Sequence, residues 1–468
     1  MNIALLMSDA PGFVVSFINL GGLLQKDGHN VFYISDSESV TENFVLNGGN
    51  ISNLICFDKF HNSYNGLISD EIDESNIGLF ADLERLQVYY KANKFKIDSF
   101  FRKSKYLNSF FEQAIDQYSL DFLVSEKPAG SYTFAACNVA NLKGISFVGY
   151  EMSRINGLTE IYLNGKSIQL EHSLEESKKI KEKLDSYIRE SQGESYEKPI
   201  YMMEESLLSI NNTSILKRIA SFERMKQLLF YLYISLLRNK KNYLGYLPIR
   251  KYYIHLVYLF RRIALKKLKK IFKSSSPIIK SKNFNIVFPL HFHPEASTSI
   301  MSSEYFNEID LLTFICSTLP KNYKIYIKDH PSMLGRRSKN DEKKLKTLPN
   351  SIFIDASTDF DYLNNIDLII TLTSTMGLEL AMKGKKVISF GEVFYNKHPN
   401  VKKVSSKHEC ISLLRNIQKW NLEEDLINAN KIFLEDYATS CLPASIDLSN
   451  SDKSSLNELH KLLNRLIN

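Results

Sequence analysis

The stretch ITLTSTMGLELAMKGKKVISFGE, residues 370–392, contains a strand, a helix and a second strand in succession. Its first apolar run leads into a cluster of hydroxyl side chains, and a segment with helical spacing then stops at Gly384. Short apolar runs that alternate with helical segments are typical of βα units in a parallel sheet. The stretch therefore predicts an α/β fold, with the hydroxyl cluster placed where a strand gives way to a helix.

The same alternation recurs in both halves of the chain. The predicted strands lie at 2–7, 30–35, 121–126 and 145–151 in the first half, and at 284–290, 323–331, 351–356, 367–372 and 386–391 in the second. This order predicts two Rossmann-like, doubly wound domains in tandem that face a cleft.

A chain of 468 residues exceeds what one hydrophobic core usually serves, and a hydrophobic content of 44% is ample for two cores. We interpret SSSPIIKSK, residues 274–282, as a linker because it combines serines, a proline and lysines. The predicted segments are an N-terminal Rossmann-like domain at 1–155, a helical, basic and aromatic insertion at 156–273, a second Rossmann-like domain at 274–405 and C-terminal helices at 406–468.

The cysteines and the N-terminus indicate the compartment. The five cysteines are odd in number, widely spaced and far from the close Cys/His clusters that zinc requires. The N-terminus MNIALLMSDAPGF has no basic region before a short apolar stretch, so we interpret it as a first strand and not as a signal peptide. We therefore expect a reducing, cytoplasmic location.

Three unusual clusters in the second half follow predicted strands. They are HFHPEASTS at 291–299, KDHPSM at 328–333 and TSTMGLE at 373–379. Ligands of open α/β sheets bind outside the carboxyl ends of the strands. We therefore expect the three clusters to form one binding site.

The hydroxyl cluster has two interpretations. Backbone N–H groups and the positive end of a helix dipole attract an anion, so Ser374 and Thr375 are candidates for binding a phosphate. Alternatively, either side chain caps a helix, as Ser and Thr do routinely. Gly377 favours a ligand because it lets one approach the backbone, whereas Thr371 and Thr373 are interpreted as strand residues.

His330, with Lys328 beside it, stands at the rim of the predicted sheet. Its imidazole could donate a proton or a hydrogen bond to a phosphate or to a leaving group. The alternative is a solvated loop histidine, although HFHPE repeats the His-Pro pair one βα unit earlier. Glu379 could accept both hydroxyls of a ribose, or it could simply favour the helix dipole.

The first half offers carboxylates at its strand ends. Asp9, Glu126 and Glu151 are candidates for a general base, although each alone could be a structural or solvated acid. Ser131, after a βα turn, and Arg154 are candidates for binding an acceptor.

Several motifs are absent from the sequence. It contains no GxxxxGK[ST], GxGxxG, HExxH or GxSxG, which excludes the commonest NTPases, dehydrogenases, metalloproteases and hydrolases. The DFD triplet at 359–361 resembles a metal-binding DxD, but we interpret it as a helix start. We expect neither a metal nor a cofactor.

The motifs KDHP and TSTMGLELAMKGKKVISFGEVFY resemble those of bacterial surface-polysaccharide glycosyltransferases of the GT-B type. The resemblance is to the capsule polysaccharide biosynthesis family that includes Kdo transferases, and it covers roughly residues 284–400. The first half is similar only in architecture.

The resemblance implies transfer of a sugar from a nucleotide donor held in the second domain, with the acceptor on the first. In such families the His of the His-Pro pair and the Ser/Thr pair contact the donor phosphate, and no metal is generally needed. A CMP-activated acidic sugar is the favoured donor, and a growing surface polysaccharide or a lipid-linked glycan the favoured acceptor. The residues assigned to the donor site are His293, Glu295, Lys328, His330, Ser374, Thr375, Gly377, Glu379 and Glu392.

Other activities stay open on the sequence alone. A nucleotide-sugar epimerase or a polyol-phosphate transferase of the same shape would use similar residues. A non-catalytic, membrane-bound subunit of a polysaccharide assembly complex is a further alternative. The paired acids of the related sialyltransferases do not appear in that form, so the choice among the candidate bases also stays open.

The net charge of +7 comes from one segment. Residues 217–273 contain sixteen Lys/Arg and one acid, interleaved with Tyr, Phe and Leu, so the rest of the chain is negative. The longest apolar run, Leu228–Leu237, is too short to span a bilayer. We expect this segment to lie on an anionic membrane at the cytoplasmic face, the alternatives being solvated helices or an oligomer interface. Nucleic acid is not expected, because no recognised module accompanies the basic residues.

Overall fold

The computed structural model describes residues 1–9, 12–66, 73, 75–192, 222–271, 283–330, 333, 336–354, 365–446 and 453–467. The predicted linker at 274–282, the DFD triplet at 359–361 and Pro331 lie outside these ranges, as do both ends of the basic segment.

The chain divides into two compact units, each discontinuous in sequence. Unit 1 comprises Met1–Asp185, Ile219–Ile254 and Ala438–Asn468, and unit 2 comprises Ser186–Arg218 and His255–Tyr437. The units therefore differ from the four contiguous segments that the sequence predicted. The insertion is shared between them, and the end of the chain returns to the first unit.

Unit 1 contains a mainly parallel sheet. Its strands are β1 Asn2–Met7, β2 Asn30–Ser35, β3 Leu54–Cys56, β4 Phe122–Glu126, β5 Ser146–Met152, β6 Thr159–Leu163, β7 Lys166–Ser167 and β14 Cys441–Leu442. The strand order is β14-β6-β5-β4-β1-β2-β3, and β7 pairs with β6. Strands β1 to β5 are parallel, whereas β6 runs antiparallel to β5 and β14 runs antiparallel to β6.

Helices lie on both faces of this sheet, where they contribute to two core clusters. The helices of unit 1 are α1 Phe13–Lys26, α2 Glu38–Leu46, α3 Phe57–Ser63, α4 Gly78–Tyr90, α5 Lys94–Ser104, α6 Leu107–Tyr118, α7 Ser131–Lys143, α9 Phe222–Leu232 and α17 Lys453–Ile467. Helix α8, Leu174–Gln192, begins in unit 1 and ends in unit 2. Helix α9 continues into a π-helical turn, Tyr233–Leu237. Helix α10, Pro248–Ile271, begins in unit 1 and ends in unit 2.

Strand β1 shows why its sequence is apolar without alternation. Ile3, Leu5 and Met7 join a core cluster with α1 and α17, whereas Ala4 and Leu6 join a second cluster with α6 and α7 on the opposite face. A parallel strand that is buried on both faces needs apolar residues at every position. The apolar run at the N-terminus is therefore the central strand of unit 1, as its sequence predicted.

Unit 2 contains a wholly parallel sheet. Its strands are β8 Phe284–Pro289, β9 Tyr323–Lys328, β10 Ser351–Ile354, β11 Leu368–Thr371, β12 Lys386–Ser389 and β13 Val401–Lys403. Their order, β10-β9-β8-β11-β12-β13, is that of a Rossmann fold, in which the chain direction across the sheet reverses between the first and fourth strands. The reversal here lies between β8 and β11.

Four helices of unit 2 lie between these strands along the chain: α11 Ala296–Ser299, α12 Glu308–Thr318, α13 Lys339–Thr347 and α14 Met376–Met382. Two more, α15 Lys407–Arg415 and α16 Leu426–Ala438, follow β13. Helix α14 ends as the sequence predicted. Gly384 adopts a φ of 75°, and its N–H donates to the carbonyl of Ala381 at 3.0 Å. A glycine tolerates this left-handed conformation without steric cost.

The prediction of two doubly wound α/β domains is confirmed. The antiparallel strands β6, β7 and β14 were missed, and β14 lies in a tail that was predicted to be helical throughout. The predicted strand at 351–356 is described only as Ser351–Ile354. The cleft between the domains stays a prediction. In the described part of the chain, no helix combines the length and the apolar character that crossing a bilayer requires.

Candidate active site

The three clusters singled out in the sequence lie on neighbouring strands of unit 2. They follow β8, β9 and β11, and β8 pairs with both of the other two strands. The reversal of strand order between β8 and β11 is where open α/β sheets bind ligands. The fold therefore brings these strand ends to one edge of the sheet, as expected.

Glu308, the first residue of α12, is the centre of a buried hydrogen-bond network at this edge. Its Oε2 accepts the backbone N–H of His291 at 2.9 Å and lies 3.1 Å from the Nδ1 of the same residue. Its Oε1 lies 3.2 Å from a guanidinium nitrogen of Arg337 and 3.5 Å from the Nε2 of His293. Burial alone would raise the pKa of Glu308, but the hydrogen bonds from both histidines and the charge of Arg337 hold that pKa well below its usual value. The carboxylate is therefore ionised inside the protein.

His291 links the loop after β8 to the loop after β11. Its Nε2 lies 3.1 Å from the backbone nitrogen of Thr373, which can only donate, so Nε2 must accept. Its Nδ1 then carries the proton and donates it to Glu308. The carboxylate thus sets the tautomer of His291, and His291 sets the position of the Thr373 backbone.

Arg337 connects the loop after β9 to the same network. Its Nε donates to Asp329 at 2.8 Å, and its guanidinium also contacts Glu308. Burial would lower the pKa of Arg337, but the charges of Glu308 and Asp329 raise it above its usual value. Because both carboxylates are buried, removing Arg337 would leave two negative charges in the interior without their shared cation.

The hydroxyl cluster forms a tight turn between β11 and α14. The Oγ1 of Thr371 accepts the backbone N–H of Ser374 at 3.0 Å. The Oγ of Ser374 lies 3.3 Å from the backbone nitrogen of Met376, whereas Thr375, at the start of α14, makes no capping hydrogen bond with its side chain. Capping therefore accounts for Ser374 in part, and it does not account for Thr375.

Thr373 was interpreted as a strand residue, but β11 ends at Thr371 and Thr373 lies in the loop beyond it. Its side chain is buried, and its Oγ1 has no hydrogen-bond partner among the described residues. A buried hydroxyl without a partner is unfavourable unless a ligand or water completes it. Thr373 is therefore a functional candidate that sequence reasoning set aside.

Gly377 has a structural explanation that the sequence did not suggest. A Cβ atom at this position would lie 2.8 Å from the hydroxyl oxygen of Tyr395 and about as close to its ring. That hydroxyl donates to the carbonyl oxygen of Ser374 at 2.6 Å. The absent side chain of Gly377 thus makes room for a tyrosine that holds the turn, and the predicted contact with a ligand is not needed to explain the glycine.

The His-Pro histidines lie at the edge of the network. His330 is half-buried, and its ring centroid lies 5.9 Å from that of Phe292. The backbone N–H of His330 donates to Asp329 at 2.9 Å. His293, of the earlier pair, is also half-buried, and Lys328 is buried at the end of β9. Phosphate contacts by these three side chains stay predictions.

The three glutamates predicted to bind the donor differ in exposure and in contacts. Glu295 precedes α11 and is half-buried. Glu379 lies in the first turn of α14, also half-buried, so both interpretations of its role stand. Glu392 is exposed and forms an ion pair with Lys403. This ion pair on the surface explains the residue without a contact to a ligand.

In unit 1 the three candidate bases have different surroundings. Asp9, beyond the end of β1, is exposed, and its Oδ2 lies 3.4 Å from the side-chain amide of Asn242. Glu151 forms an ion pair with Lys127 at 2.9 Å. Glu126 is half-buried at the end of β4. A catalytic role for any of the three stays a prediction.

The expected acceptor contact of Ser131 conflicts with its position. Its hydroxyl donates to Asp82 at 2.6 Å, lies 2.7 Å from the hydroxyl of Tyr243 and is fully buried. It cannot reach an acceptor without rearrangement, because its short side chain is buried and its hydroxyl already forms hydrogen bonds in the core. Arg154 is half-buried, and its acceptor contact stays a prediction.

Sequence reasoning also missed Glu308 and Arg337. Glu308 looked like an ordinary first-turn acid of a helix, and Arg337 is one of two adjacent arginines in a polar loop. The one available signal was that both lie near the His-Pro clusters in sequence. Their burial and their pairing depend on the tertiary structure.

Comparison with protein families identifies residues 183–399 as matching "Capsule polysaccharide biosynthesis protein". The matched range includes every candidate residue of unit 2. The resemblance deduced from the sequence motifs is therefore confirmed for this part of the chain. No curated protein is significantly similar to the chain.

Solved structures share only remote likeness. The KpsC beta Kdo 2,7 transferase of Thermosulfurimonas dismutans is 14% identical, with a TM-score of 0.31, and the match covers 76% of this chain and 89% of that one. The UDP-GlcNAc 2-epimerase of Neisseria meningitidis, bound to UDP-GlcNAc, is 12% identical, with a TM-score of 0.26, and covers 93% and 99%. A glycosyltransferase from Rickettsia africae is 12% identical, with a TM-score of 0.25, and covers 99% and 97%. Likenesses this remote carry no weight for the function of this chain.

Proposed function

Since residues 183–399 match the family of capsule polysaccharide biosynthesis proteins, we propose that the chain is a glycosyltransferase. It moves a sugar from a nucleotide donor to a bacterial surface polysaccharide or to a lipid-linked acceptor. The donor nucleotide binds at the carboxyl edge of the unit 2 sheet.

One observation carries the proposed donor site. The loops after β8, β9 and β11 are joined at the switch point by the hydrogen bonds that centre on Glu308. Such a cross-linked framework keeps the surrounding side chains in place, and preorganised donors stabilise developing charge most effectively. A site that must hold a nucleotide phosphate as it gains charge requires this rigidity.

The residues around the network have the chemistry that a sugar phosphate requires. Ser374, Thr375 and Thr373, whose hydroxyl has no partner in the described part of the chain, supply hydrogen-bond donors for phosphate oxygens. His330 donates to the leaving phosphate, and Lys328 adds positive charge. During transfer the bond between the anomeric carbon and the phosphate oxygen breaks, and its electron pair stays on the phosphate, where these donors stabilise it.

The favoured donor is a CMP-activated acidic sugar. This preference rests on the motif resemblance to the Kdo transferase-like family and not on a contact in unit 2. No metal is assigned to the reaction, because the families that the motifs resemble generally need none.

The proposal is tested by thermal shift of the full chain with CMP, CDP, UDP and GDP. A bound nucleotide stabilises the protein by RT ln(1 + [L]/Kd), so one nucleotide should raise the melting temperature. The corresponding nucleotide-sugars should then release nucleotide slowly, and faster with an acceptor. If no nucleotide stabilises the chain and none is released, the proposal is wrong.

Product analysis separates the remaining alternatives. An epimerase would convert the sugar of the donor without an acceptor, and a polyol-phosphate transferase would use an activated polyol instead of an activated sugar. A non-catalytic assembly subunit would support polymer synthesis in cells even with His330→Ala.

We also propose that the basic segment contacts an anionic membrane. In its described part, large apolar side chains are exposed, among them Leu229 at 60%, Leu236 at 68%, Leu237 at 77% and Phe260 at 62%. Exposed apolar groups interleaved with Lys and Arg suit a surface that inserts into the headgroup region. A lipid-linked acceptor would explain why the enzyme needs such a surface.

Vesicle binding tests this contact. The full chain should sediment with phosphatidylglycerol vesicles and not with phosphatidylcholine vesicles, and salt should weaken the binding. The double variant Leu236→Ser/Leu237→Ser should bind less, whereas Phe95→Ser, which removes a side chain that is 69% exposed on α5, should not. Equal binding of both variants would contradict a role for the segment.

A further inference from the structure

Helix α10 of the basic segment packs against the loop that follows β9. Tyr258 and Arg261 lie about one turn apart on this helix, and both belong to unit 2. Tyr258 is only 7% exposed, whereas Val257 and Phe260, on another side of the helix, are 43% and 62% exposed. The helix therefore has one side that is buried in the protein and another that is exposed.

A series of ring contacts leads from Tyr258 to His330. The guanidinium carbon of Arg336 lies 5.2 Å from the ring centroid of Tyr258 and 4.9 Å from that of Phe292. Both distances are within the range over which a cation and an aromatic ring attract each other. The ring centroid of Phe292 lies 5.9 Å from that of His330. Two side chains therefore connect α10 to the imidazole that is proposed to donate to the leaving phosphate.

Arg261 contacts the next residue of the same loop. Its Nη2 donates to the backbone carbonyl oxygen of Arg337 at 3.0 Å. Arg337 is the buried cation that pairs with Asp329 and Glu308. A hydrogen bond from a charged donor is stronger than one between neutral groups, so this contact restrains the backbone beside the network.

We infer that Tyr258 and Arg261 are positioning residues of the proposed donor site. The inference rests on the proposed glycosyl transfer. Tyr258 fixes Arg336 and thereby the aromatic surroundings of His330, while Arg261 fixes the backbone of Arg337. Neither side chain needs to touch the donor. All the donor-site residues that the motifs indicated lie beyond the start of β8, so α10 adds a part of the site that no motif marks.

The contacts are tested first without turnover. NMR of the full chain with isotope-labelled histidine detects the imidazole of His330, and the spectrum of His330→Ala identifies its signal. Tyr258→Leu removes the aromatic ring beside Arg336 and should shift that signal, whereas Tyr258→Phe keeps the ring and should leave the signal near its wild-type position. Tyr253→Leu, at a position of α10 that is 62% exposed, is the matched control and should not shift it.

The effect on the reaction is measured with the nucleotide-sugar that thermal shift identifies, in the absence of vesicles. Tyr258→Leu and Arg261→Leu should each lower the kcat for nucleotide release by about 10-fold, because a small displacement of a reacting group is costly in rate. The KM of the donor should change little, since the misplaced donors act on the phosphate as it gains charge. Tyr258→Phe should retain the wild-type kcat, which a loss of packing alone would not predict. Arg415→Leu, at an exposed position of α15, is the control for the arginine.

A double variant tests the route through Arg336. A residue that acts only through Arg336 has no further effect once Arg336 is removed, so Tyr258→Leu/Arg336→Leu should be no slower than Arg336→Leu alone. If the two substitutions multiply in their effects on kcat, Tyr258 does not act through Arg336, and this route is wrong.

The outcomes separate this inference from the proposed function. A residue whose leucine variant releases nucleotide at the wild-type rate is not a positioning residue, and neither is Tyr258 if its phenylalanine variant is as slow as the leucine variant. Should Tyr258→Leu not fold, Arg261→Leu still decides whether α10 positions the site. If the wild type uses no donor at all, the proposed function and the positioning role both fail, and the NMR spectra still decide whether Tyr258 orients His330.

Discussion

The Nε2 of His291 accepts a hydrogen bond from the backbone N–H of Thr373 at 3.1 Å, which joins two loops that are 82 residues apart in sequence. The bond requires the tautomer of His291 that protonates Nδ1, and Glu308 enforces that tautomer from the other side of the ring. The position of the turn between β11 and α14 therefore depends on a carboxylate that does not itself belong to the turn.

Removing the Glu308 charge should destabilise unit 2 strongly. Both carboxylate oxygens of Glu308 accept hydrogen bonds from buried donors of His291 and Arg337, and Glu308→Gln replaces one of these oxygens with an NH2 group. A buried donor left without its acceptor costs about 1–3 kcal/mol of the free energy of unfolding. Urea unfolding measures the change. Glu304→Gln, at an exposed position nearby, is the control and should alter the free energy by less than about 0.5 kcal/mol. Equal effects of the two variants would show that the network contributes little.

The same residue predicts a dependence of stability on pH. The pKa of Glu308 is well below its usual value of 4.5, so the folded state holds this proton less tightly than the unfolded state. Its contribution to stability is fully present above pH 4.5 and is lost as the pH falls towards the folded pKa. The unfolding free energy of the wild type should therefore decrease below about pH 4.5, and the slope should be smaller in Glu308→Gln. Parallel pH profiles would contradict this assignment.

Asp36 should contribute a pH dependence of stability that is opposite in sign to that of Glu308. Burial, together with the charge of Asp9, raises the pKa of Asp36 well above 3.8. The ionised side chain therefore destabilises the fold as the pH rises from 3.8 through the folded pKa. Asp36→Asn should raise the unfolding free energy at about pH 7 by about 1 kcal/mol or more, because one unit of pKa shift corresponds to about 1.4 kcal/mol. A destabilised Asp36→Asn protein would mean that the hydrogen bond from Ser37 to the carboxylate, at 2.6 Å, outweighs the effect of burial.

Gly377→Ala tests the contact with Tyr395. The new Cβ would displace the tyrosine ring and break its hydrogen bond to Ser374, so we expect a loss of about 1–3 kcal/mol of stability and weaker nucleotide binding. Gly22→Ala is the matched control, because Gly22 is also helical and no atom lies within 4 Å of its Cβ position. That substitution should instead stabilise the protein by about 1 kcal/mol. Differential melting of the two variants measures both effects.

His330→Ala tests the proposed role of this side chain in donor chemistry. Nucleotide release should fall by about 100-fold or more if the imidazole donates to the leaving phosphate. His408→Ala, at an exposed position on α15, should leave the rate unchanged. EDTA should change the rate of nucleotide release little in the wild type and in both variants. A large loss of rate with EDTA would show that a metal takes part. Wild-type rates for His330→Ala would remove this residue from the mechanism.

Much of the fold was predictable because its signals are local. Apolar runs such as residues 2–7 and 284–290 are buried on both faces of a parallel sheet, so they need apolar residues at every position. Gly384 marks the end of α14 for an equally local reason. The antiparallel strand β14 could not be predicted, because two residues carry no periodicity and its partner β6 lies far away in sequence.

The candidate site was predictable only in outline. The His-Pro pairs and the hydroxyl cluster stand out in the sequence, and their places at the ends of predicted strands follow from the βα order. Glu308 and Arg337 have no such pattern. Gly377 was predicted to contact a ligand, but its close contact with Tyr395 explains the glycine better. Ser131 likewise looked accessible in a turn and is buried beside Asp82.

By itself, the sequence determined the α/β class, the two doubly wound sheets and the edge of unit 2 at which the conspicuous side chains gather. These features depend on hydrophobic periodicity and on the order of strands along the chain. Only the tertiary structure decided which charges are buried together and which hydroxyls already form hydrogen bonds within the protein. Burial and pairing arise between residues that are distant in sequence, so no local pattern records them.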